Sequence, residues 1–156
     1  MGAGKTTVGK ALAAWLAWRF VDLDTSVEES AGLTVREIFD TLGEARFRQL
    51  ESENLRHTGK LATCVVATGG GTPVDPENRA WMRAHGRVVW LDVGFEVVAT
   101  RLRDDGRRPL YSDREGAARL YRERRPVYLE NDLAVTAAGR SAADLAVSIA
   151  DALGLR

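Results

Sequence analysis

The sequence predicts an α/β protein in which helices cover both faces of a mainly parallel sheet. Three observations favour this class. Strand-length apolar runs alternate with stretches of helical periodicity along the chain. Two of those runs, LATCVVAT and RVVWLDV, are almost continuously apolar, which is typical of strands buried on both faces. The first helical stretch also follows directly on a glycine-rich turn, MGAGKTT.

The N-terminal half is predicted to form a helix, a strand and three further helical stretches. After the glycines, Val8, Leu12, Trp15 and Leu16 recur at helical spacing. FVDLD is predicted to be a strand that carries two acids at its end, followed by a helix beginning near Ser26. A capping-box pattern, T-x-x-E, starts a helix through VREIFDTL, and a glycine breaks it before EARFRQLESENLRH.

The C-terminal half continues the alternation. LATCVVAT ends in three glycines and is followed by a helix over 77–84, and RVVWLDV is followed by the helix FEVVATRLR. DDGRRPLYSD reads as a polar loop, and the next helix, REGAARLYRERR, is expected to stop at Pro126. A weak strand, DLAVT, and the helix SAADLAVSIADAL complete the chain.

Composition limits the function classes. The 156 residues suit one domain, and 22 basic against 22 acidic residues give no net charge to attract nucleic acid or anionic membrane. The single cysteine, Cys64, excludes an internal disulfide and is expected to be a small buried hydrophobe. No run approaches the ~18 apolar residues of a membrane helix, and no charged-then-apolar pattern leads us to expect an export signal. A cytoplasmic enzyme acting on small molecules is therefore expected.

The N-terminal run resembles the end of a phosphate-binding loop, G-x-x-x-x-G-K-[ST], entered part-way through. Gly2, Ala3 and Gly4 would let backbone N–H groups surround phosphates, and Lys5 would meet the β- and γ-phosphates. Thr6 would place its hydroxyl on Mg²⁺. The alternative is a glycine-rich helix cap at a frayed terminus.

Asp22 and Asp24 are the second candidate pair. Two residues apart on a strand, they would project to the same face. In a kinase one could organise the metal and the other could bind the acceptor hydroxyl and help remove its proton. The alternative is that Asp24 only caps the following helix.

Further candidates are arginines and glycines. Arg48 lies four residues after Glu44 and three before Glu51, so on its own it is explained by a surface ion-pair ladder. The three glycines after LATCVVAT suit close approach of a ligand, although a flexible turn explains them nearly as well. Arginines around the polar loop could serve a nucleic-acid patch, but interleaved acids and the lack of a stacking platform favour a lid over phosphates.

Together, GAGKTTVGKALA, FVDLD, GEARFRQLE, ATGGGTPV, RRPLY and RERRPVY occur in the order and approximate spacing of the shikimate kinases, which the chain resembles along its length. The resemblance implies a P-loop three-layer α/β/α fold and phosphorylation of the 3-hydroxyl of shikimate by ATP, in aromatic amino-acid biosynthesis. It further implies Mg²⁺ as cofactor, a monomer, a lid over about 104–119 and a substrate-binding region over about 24–57.

The resemblance also assigns roles by motif position. Lys5, Asp24 and Arg108 would be catalytic, and Thr6 with Asp22 would hold Mg²⁺. Arg140 would lie against the adenine. Implied to bind the ATP phosphates are Gly2, Ala3, Gly4, Lys5, Thr6, Thr7 and Arg108. Implied to bind shikimate are Asp24, Arg48, Gly69, Gly70, Gly71 and Arg124, the last chosen over Arg125 by the pattern R-x-P-x-Y.

One departure from the family accompanies this resemblance. The family places a hydrophobic strand before the glycine loop, at the centre of a sheet of order 2-3-1-4-5, and this sequence does not contain it. We therefore expect either that the product starts about ten residues upstream or that the chain is truncated. The rival functions are another small-molecule kinase of the same fold, such as a gluconate kinase, and an inactive homologue.

Overall fold

The structure is a computed structural model that describes residues 2–102 and 114–155. In that part of the chain, helices and strands alternate as expected. The helices are α1 (Lys5–Leu16), α2 (Leu23–Ala31), α3 (Val35–Thr58), α4 (Pro76–His85), α5 (Phe95–Leu102), α6 (Arg114–Tyr128) and α7 (Ala142–Ala152). The strands are β1 (Arg19–Asp22), β2 (Cys64–Ala67), β3 (Val89–Asp92) and β4 (Leu133–Thr136), and a 3-10 turn spans Thr72–Val74.

The strands of the described residues form two parallel pairs. β1 pairs with β2, and Asp22 at the end of β1 lies opposite Ala67. β3 pairs with β4, and Asp92 lies opposite Thr136. In the family order 2-3-1-4-5, strand 1 precedes the glycine loop, so β1–β4 here correspond to strands 2–5. The two observed pairs are then the neighbours 2-3 and 4-5 of that order. The α/β class with parallel strands is confirmed. The central position of that order falls between β2 and β3.

Two apolar clusters support the strands. The larger cluster joins the inner face of α1 to α7 and to the β3–β4 pair, through Leu12, Leu91, Val135 and Ile149 among others. The smaller cluster packs α2 on α3 through Val27, Ile38, Phe47 and Leu50. α3 is interrupted at Gly43, which has φ 81° and ψ 167°, so the predicted break is confirmed. The capping box of Thr34 and Glu37 is also confirmed.

The prediction that Trp15 belongs to the apolar stripe of α1 is wrong. Its exposed fraction is 62%, whereas Val8, Leu12 and Leu16 are buried. The buried stripe is centred on Gly9 and Leu16, and at 100° per residue Trp15 lies about 100° away from Leu16 around the helix. The face of α1 that packs on the core is therefore formed by Val8, Gly9, Leu12, Ala13 and Leu16, and Trp15 lies outside it.

Two predicted boundaries are also wrong. Asp24 is not on the strand, because β1 ends at Asp22 and α2 begins at Leu23 rather than near Ser26. α6 does not stop at Pro126, because the helix continues to Tyr128. Proline removes one N–H donor, and Leu129 still donates to the Arg125 carbonyl at 3.1 Å. Among the described residues, none of the helices has the length and apolar character that crossing a membrane requires.

Candidate active site

A cavity of about 460 Å³ lies at the N-terminus of α1, beside the carboxyl ends of β1 and β2. Most of the residues predicted to bind ATP or metal line it. They are Gly2, Ala3, Gly4, Lys5, Thr6, Thr7, Asp22 and Arg140. Asp24 and Gly69, predicted to bind the second substrate, line the same cavity. We call this space the loop cavity.

The glycine turn meets the helix as the phosphate-loop pattern requires. Gly4 is the N-cap of α1, and its φ of 86° is in the left-handed region, where glycine carries no steric penalty. α1 begins at Lys5, so its first-turn N–H groups and the positive end of its dipole belong to residues that line the loop cavity. This arrangement suits a phosphate anion. The alternative interpretation, a glycine-rich cap at a frayed terminus, would not require the polar side chains that line the loop cavity.

Thr6 and Asp22 lie in contact. The Thr6 hydroxyl donates to Asp22 Oδ2 at 2.8 Å, which links the first turn of α1 to the end of β1. The other oxygen of Asp22 accepts from the backbone N–H of Asp24 at 3.2 Å and caps α2. Asp22 therefore performs the capping role that the alternative interpretation gave to Asp24.

These oxygens are a partial donor set for a divalent ion. Mg²⁺ is usually held by one or two carboxylates together with substrate phosphates and water. Within residues 2–102 and 114–155, no group of three or more acidic, histidine or cysteine side chains is placed to hold a metal. Thr6 and Asp22 thus fit an ion that arrives with a nucleotide, and they do not form a complete site by themselves.

Asp24 lies in the first turn of α2 and faces the glycines that follow β2. A Cβ built on Gly69 would lie 3.4 Å from Asp24 Oδ1 and 2.5 Å from Glu51 Oε1. Although Asp24 is not on β1, the helix that Asp22 caps brings its carboxylate to the same edge of the sheet. Asp24 therefore stands where the loop cavity meets the glycine segment.

Arg48 is held by two carboxylates on α3. Its Nη1 donates to Glu51 Oε2 at 2.8 Å, and its Nη2 donates to Glu44 Oε1 at 3.1 Å. Burial alone lowers the pKa of Arg48, but the charge of Glu51 and the hydrogen bonds to both carboxylates outweigh it, and the pKa is raised overall. Both pairs of the predicted ion-pair ladder are thus present, but the ladder does not lie wholly at the surface, because the side chain of Glu51 is only 1% exposed.

Glu51 is a site residue that sequence reasoning did not single out. Its Oε1 accepts from the Thr72 hydroxyl at 2.6 Å, so one buried carboxylate joins Arg48 to the 3-10 turn after the glycines. The signal was present in the helical pattern. Glu51 occupies the apolar stripe of α3 together with Phe47, Leu50, Asn54 and Leu55, all of them buried. A charged residue on a buried stripe requires partners, which for Glu51 are Arg48 on the same helix and Thr72 outside it.

The glycine segment approaches these side chains closely. A Cβ on Gly71 would lie 2.4 Å from Arg48 Nη1 and 2.7 Å from its Nη2, so the guanidinium packs against bare backbone. The Tyr128 hydroxyl donates to the Gly70 carbonyl at 2.6 Å. Gly70 therefore lies against Tyr128 and Gly71 against Arg48.

Arg124 and Arg125 differ in environment. The exposed fraction of Arg124 is 8%, and it lies one helical turn before Tyr128, on the face of α6 that reaches Gly70. Arg125 is exposed and stacks over the ring of Trp90, 5.7 Å from its centroid. The burial favours Arg124 as the arginine that faces the site. Arg108 and residues 104–113 of the predicted lid lie outside the described residues.

Arg140 also lines the loop cavity and lies just before α7. It donates to the Asp144 carbonyl at 3.2 Å and also to the Ser148 hydroxyl. Arg48 and Arg124, by contrast, are not among the residues that line the loop cavity. The connection between the two regions runs through Asp24 and Gly69 to Glu51.

Comparison with known proteins agrees with this arrangement. The family profile described as shikimate kinase matches residues 1–154. The shikimate kinase of Geobacter sulfurreducens is 44% identical over 153 residues, covering 96% of this chain and 84% of that protein. The shikimate kinase of Moorella thermoacetica is 43% identical over 155 residues, covering 98% of this chain and 90% of that protein.

Solved structures give the same result. The shikimate kinase from Acinetobacter baumannii in complex with shikimate superposes with a TM-score of 0.94 at 34% identity, covering 98% of this chain and 88% of that one. The shikimate kinase from Aquifex aeolicus superposes with a TM-score of 0.89 at 34% identity, covering 99% and 92%. The P-loop fold predicted from the sequence is thus confirmed. The chain belongs to the shikimate kinase family.

Proposed function

We propose that this protein is an ATP-dependent shikimate kinase, which transfers the γ-phosphoryl group of ATP to the 3-hydroxyl of shikimate. One observation carries the proposal: Gly69 lies in the lining of the loop cavity and also against Glu51, which holds Arg48. A phosphate-binding half and a carboxylate-binding half are therefore adjacent. The family comparisons favour this function over the gluconate kinase alternative.

The phosphate half consists of Gly2, Ala3, Gly4, Lys5, Thr6 and Thr7. Backbone N–H groups at the start of α1 and the Lys5 ammonium would bind the triphosphate, and Arg140 would lie against the adenine. Arg108 would reach the transferring phosphoryl group from the lid. Its placement lies outside the described residues, so this role rests on the resemblance.

The acceptor half consists of Asp24, Arg48, Arg124 and the glycine segment 69–71. Shikimate carries a carboxylate and three hydroxyls, and arginine forks suit a planar carboxylate. Arg48 is preoriented by Glu44 and Glu51, which reduces the entropy lost when it binds. Asp24 would accept a hydrogen bond from the attacking hydroxyl and orient it toward the phosphate loop.

Phosphoryl transfer depends on positioning and on stabilising spread negative charge more than on covalent work by the protein. Thr6 and Asp22 are the residues that would hold Mg²⁺ together with ATP. When bound, the ion neutralises charge on the phosphates. Lys5 then stabilises the γ-phosphoryl oxygens as the bond to the acceptor oxygen forms and the bond to the β-phosphate oxygen breaks.

The finer features of the enzyme are part of the same proposal. We propose a cytoplasmic monomer with one domain spanning 1–156, a lid over about 104–119 and a substrate-binding region over about 24–57. Closure of the lid would exclude water, which otherwise competes as acceptor.

The test is an assay of ADP release by the purified chain with ATP and Mg²⁺, in the presence of shikimate, of gluconate or of neither. Release that requires shikimate, with a product heavier by one phosphoryl group, is expected. Lys5→Ala is the matched control, because it removes the phosphate cation and should abolish any turnover that is intrinsic. Release that requires gluconate, or that needs no acceptor, would overturn the proposal.

A further inference from the structure

Asn78, in the first turn of α4, is a buried polar residue that has no role in the site described above. Its exposed fraction is 2%. Its Nδ2 group donates to the Ser52 hydroxyl at 3.0 Å and to the Thr72 carbonyl at 3.3 Å. Its Oδ1 accepts from Arg56 Nη1 at 2.9 Å. One buried side chain therefore joins the start of α4 to α3 and to the 3-10 turn 72–74.

The orientation of the Asn78 amide is fixed by Arg56. A guanidinium only donates hydrogen bonds, so the amide atom that faces it must be the oxygen. The Nδ2 group then faces Thr72 and Ser52, which both offer acceptors. The backbone of Asn78 is held as well, because the Asp75 side chain caps α4 and accepts from the N–H groups of residues 77 and 78. The donor that meets Thr72 is therefore set by two independent contacts.

Thr72 is bonded through each of its polar groups. Its hydroxyl donates to Glu51 Oε1 at 2.6 Å, and its N–H donates to the Gly69 carbonyl at 3.3 Å. Its carbonyl accepts from Asn78. A buried polar network is rigid when every member has a partner, and it loses that rigidity when one partner is removed. The turn after the glycine segment is therefore held between Glu51 on α3 and Asn78 on α4.

This network reaches the acceptor half of the site through Glu51. One oxygen of Glu51 accepts from Thr72, and the other accepts from Arg48 Nη1. The two oxygens of a carboxylate move as one rigid group, so a shift of Thr72 would turn Glu51 and displace Arg48. Arg48 packs directly against the backbone of Gly71, which leaves the guanidinium little room to adjust. The position of Arg48 therefore depends on the position of the turn.

We propose that Asn78 is a positioning residue for the acceptor site. It holds the Thr72 carbonyl, and through Thr72 and Glu51 it keeps Arg48 in the orientation that binds the acceptor carboxylate. Asn78 is not among the residues that line the loop cavity, so its effect is on the acceptor and not on ATP. This inference rests on the proposed function, because it concerns the affinity for shikimate.

Asn54 offers a matched comparison. Its exposed fraction is 9%, and its Nδ2 group donates to the Ser30 hydroxyl at 3.0 Å and to the Leu50 carbonyl at 2.9 Å. It is thus a second buried asparagine with two donated hydrogen bonds. Neither of these partners belongs to the 3-10 turn or to the glycine segment. Loss of the Asn54 amide should therefore destabilise the protein without moving the turn.

The experiment measures steady-state kinetics of Asn78→Ala, Asn78→Asp and Asn54→Ala. The aspartate keeps the size of the side chain and the acceptor for Arg56, but it places an oxygen where the donor to Thr72 was. Both Asn78 variants are expected to raise the KM for shikimate about 3- to 10-fold, the equivalent of one lost hydrogen bond, with the KM for ATP unchanged. Asn54→Ala should leave both KM values unchanged. If Asn78→Asp does not fold, Asn78→Ala decides the question.

A double-mutant cycle tests whether Asn78 acts through Arg48. In the Arg48→Lys background the guanidinium that Asn78 positions is absent, so adding Asn78→Ala should change kcat/KM for shikimate less than about 2-fold. A merely structural effect of Asn78 would be the same in both backgrounds. Equal factors in the two backgrounds, or a KM for shikimate that rises as much in Asn54→Ala, would overturn the proposal.

Hydrogen exchange provides a measurement that needs no substrate. The N–H groups of Thr72 and Val74 donate to the Gly69 and Gly71 carbonyls at 3.3 and 3.0 Å. Exchange of these two amides should be at least about 10-fold faster in Asn78→Ala than in Asn54→Ala, because the turn opens more easily. Equal exchange rates in the two variants would overturn the claim that Asn78 holds the turn.

Wild-type protein assayed in parallel separates this inference from the proposed function. If wild type shows no turnover that depends on shikimate, the proposed function fails and the positioning role fails with it. If wild type turns over shikimate and Asn78→Ala leaves the KM for shikimate unchanged, the inference about Asn78 alone is overturned.

Discussion

The Thr6 hydroxyl and the Asp22 carboxylate hydrogen-bond at 2.8 Å across 16 residues of sequence. This contact fixes the phosphate loop to the end of β1, at the edge of the sheet where Asp24 and Gly69 also lie. Asp22 also caps α2. A substitution that keeps the cap but removes the negative charge should therefore separate its structural role from its proposed role in metal binding.

Asp22→Asn is expected to lower kcat roughly 100-fold with little change in Tm. Asn caps a helix about as well as Asp, so α2 should persist, while the negative charge that favours a divalent ion is lost. Removing one group that stabilises charge in the transition state typically lowers kcat by about 100-fold or more. Steady-state kinetics over a range of Mg²⁺ concentrations, with thermal unfolding of the same preparation, check this. Thr6→Ser, which keeps the hydroxyl, is the matched control and should retain most activity.

Arg48→Lys is expected to raise the KM for shikimate about 10- to 100-fold, because one of two charge-assisted hydrogen bonds to the substrate carboxylate is lost. The KM for ATP should not change. Arg46→Lys on the same helix is the control, since Arg46 is exposed and pairs only weakly, at 3.7 Å, with Glu53. An unchanged shikimate KM in Arg48→Lys would remove Arg48 from the acceptor site.

Glu51→Gln is expected to destabilise the protein by about 3 kcal/mol, measured by urea unfolding. The carboxylate is buried and accepts from both Arg48 and Thr72, and breaking a buried pair by removing one charge has a cost of this order. Glu44→Gln removes the charge of the exposed partner of the same arginine and should lower the free energy of unfolding by no more than ~1 kcal/mol. Similar losses in the two variants would contradict the buried role of Glu51.

Gly69→Ala is expected to lower stability, whereas Gly71→Ala is expected to weaken shikimate binding. The new Cβ at position 69 meets buried Glu51 Oε1 at 2.5 Å, which cannot move without leaving Thr72, so we expect a loss of stability of roughly 2 kcal/mol. At position 71 the Cβ meets the guanidinium of Arg48, the end of a flexible side chain that can swing away. That variant should remain stable and show a raised shikimate KM. Urea unfolding and kinetics on both variants distinguish the two effects.

Glu37 is expected to make the capping box sensitive to acid. Hydrogen bonds from the backbone and the hydroxyl of Thr34 lower the pKa of Glu37 below its ordinary value. The folded state therefore favours the ionised form, so the stabilisation is complete above the unfolded pKa of about 4.5 and is lost as the pH falls through the lower, folded value. The Tm difference between wild type and Glu37→Gln should be present at pH 6 and vanish below pH 3. A difference that persisted in acid would exclude ionised Glu37 as its source.

Much of the fold could be predicted because local signals were strong. The T-x-x-E capping box, the break at Gly43 and the apolar strands β2 and β3 are all found where the pattern indicated. Each of these depends on residues close together in sequence. Boundaries were less predictable where two signals compete, as at FVDLD, where a strand pattern overlaps with a helix cap at Asp22.

The sequence proposed the residues of the candidate site but not the contacts between them. The phosphate loop, Asp22, Asp24 and the arginines were recognised from motifs, yet Glu51 was treated only as the partner of a surface arginine. The helical pattern places Glu51 on the buried stripe of α3, but its partner Thr72 lies 21 residues away in sequence, and that contact cannot be inferred from the pattern. The same reason explains Trp15, since the width of the buried stripe is set by what α7 presents to α1.

The shared carboxylate of Glu51 has a consequence for how this sequence can diverge. Its two oxygens bind groups from α3 and from the turn after β2. Loss of Arg48 therefore leaves a buried carboxylate without its counter-charge, and loss of Glu51 leaves both of its donors without an acceptor. Across descendant lineages, positions 48, 51 and 72 should accordingly be retained or replaced as a set. A substitution at only one of these positions should be rare, because selection would remove it before a compensating second substitution arises.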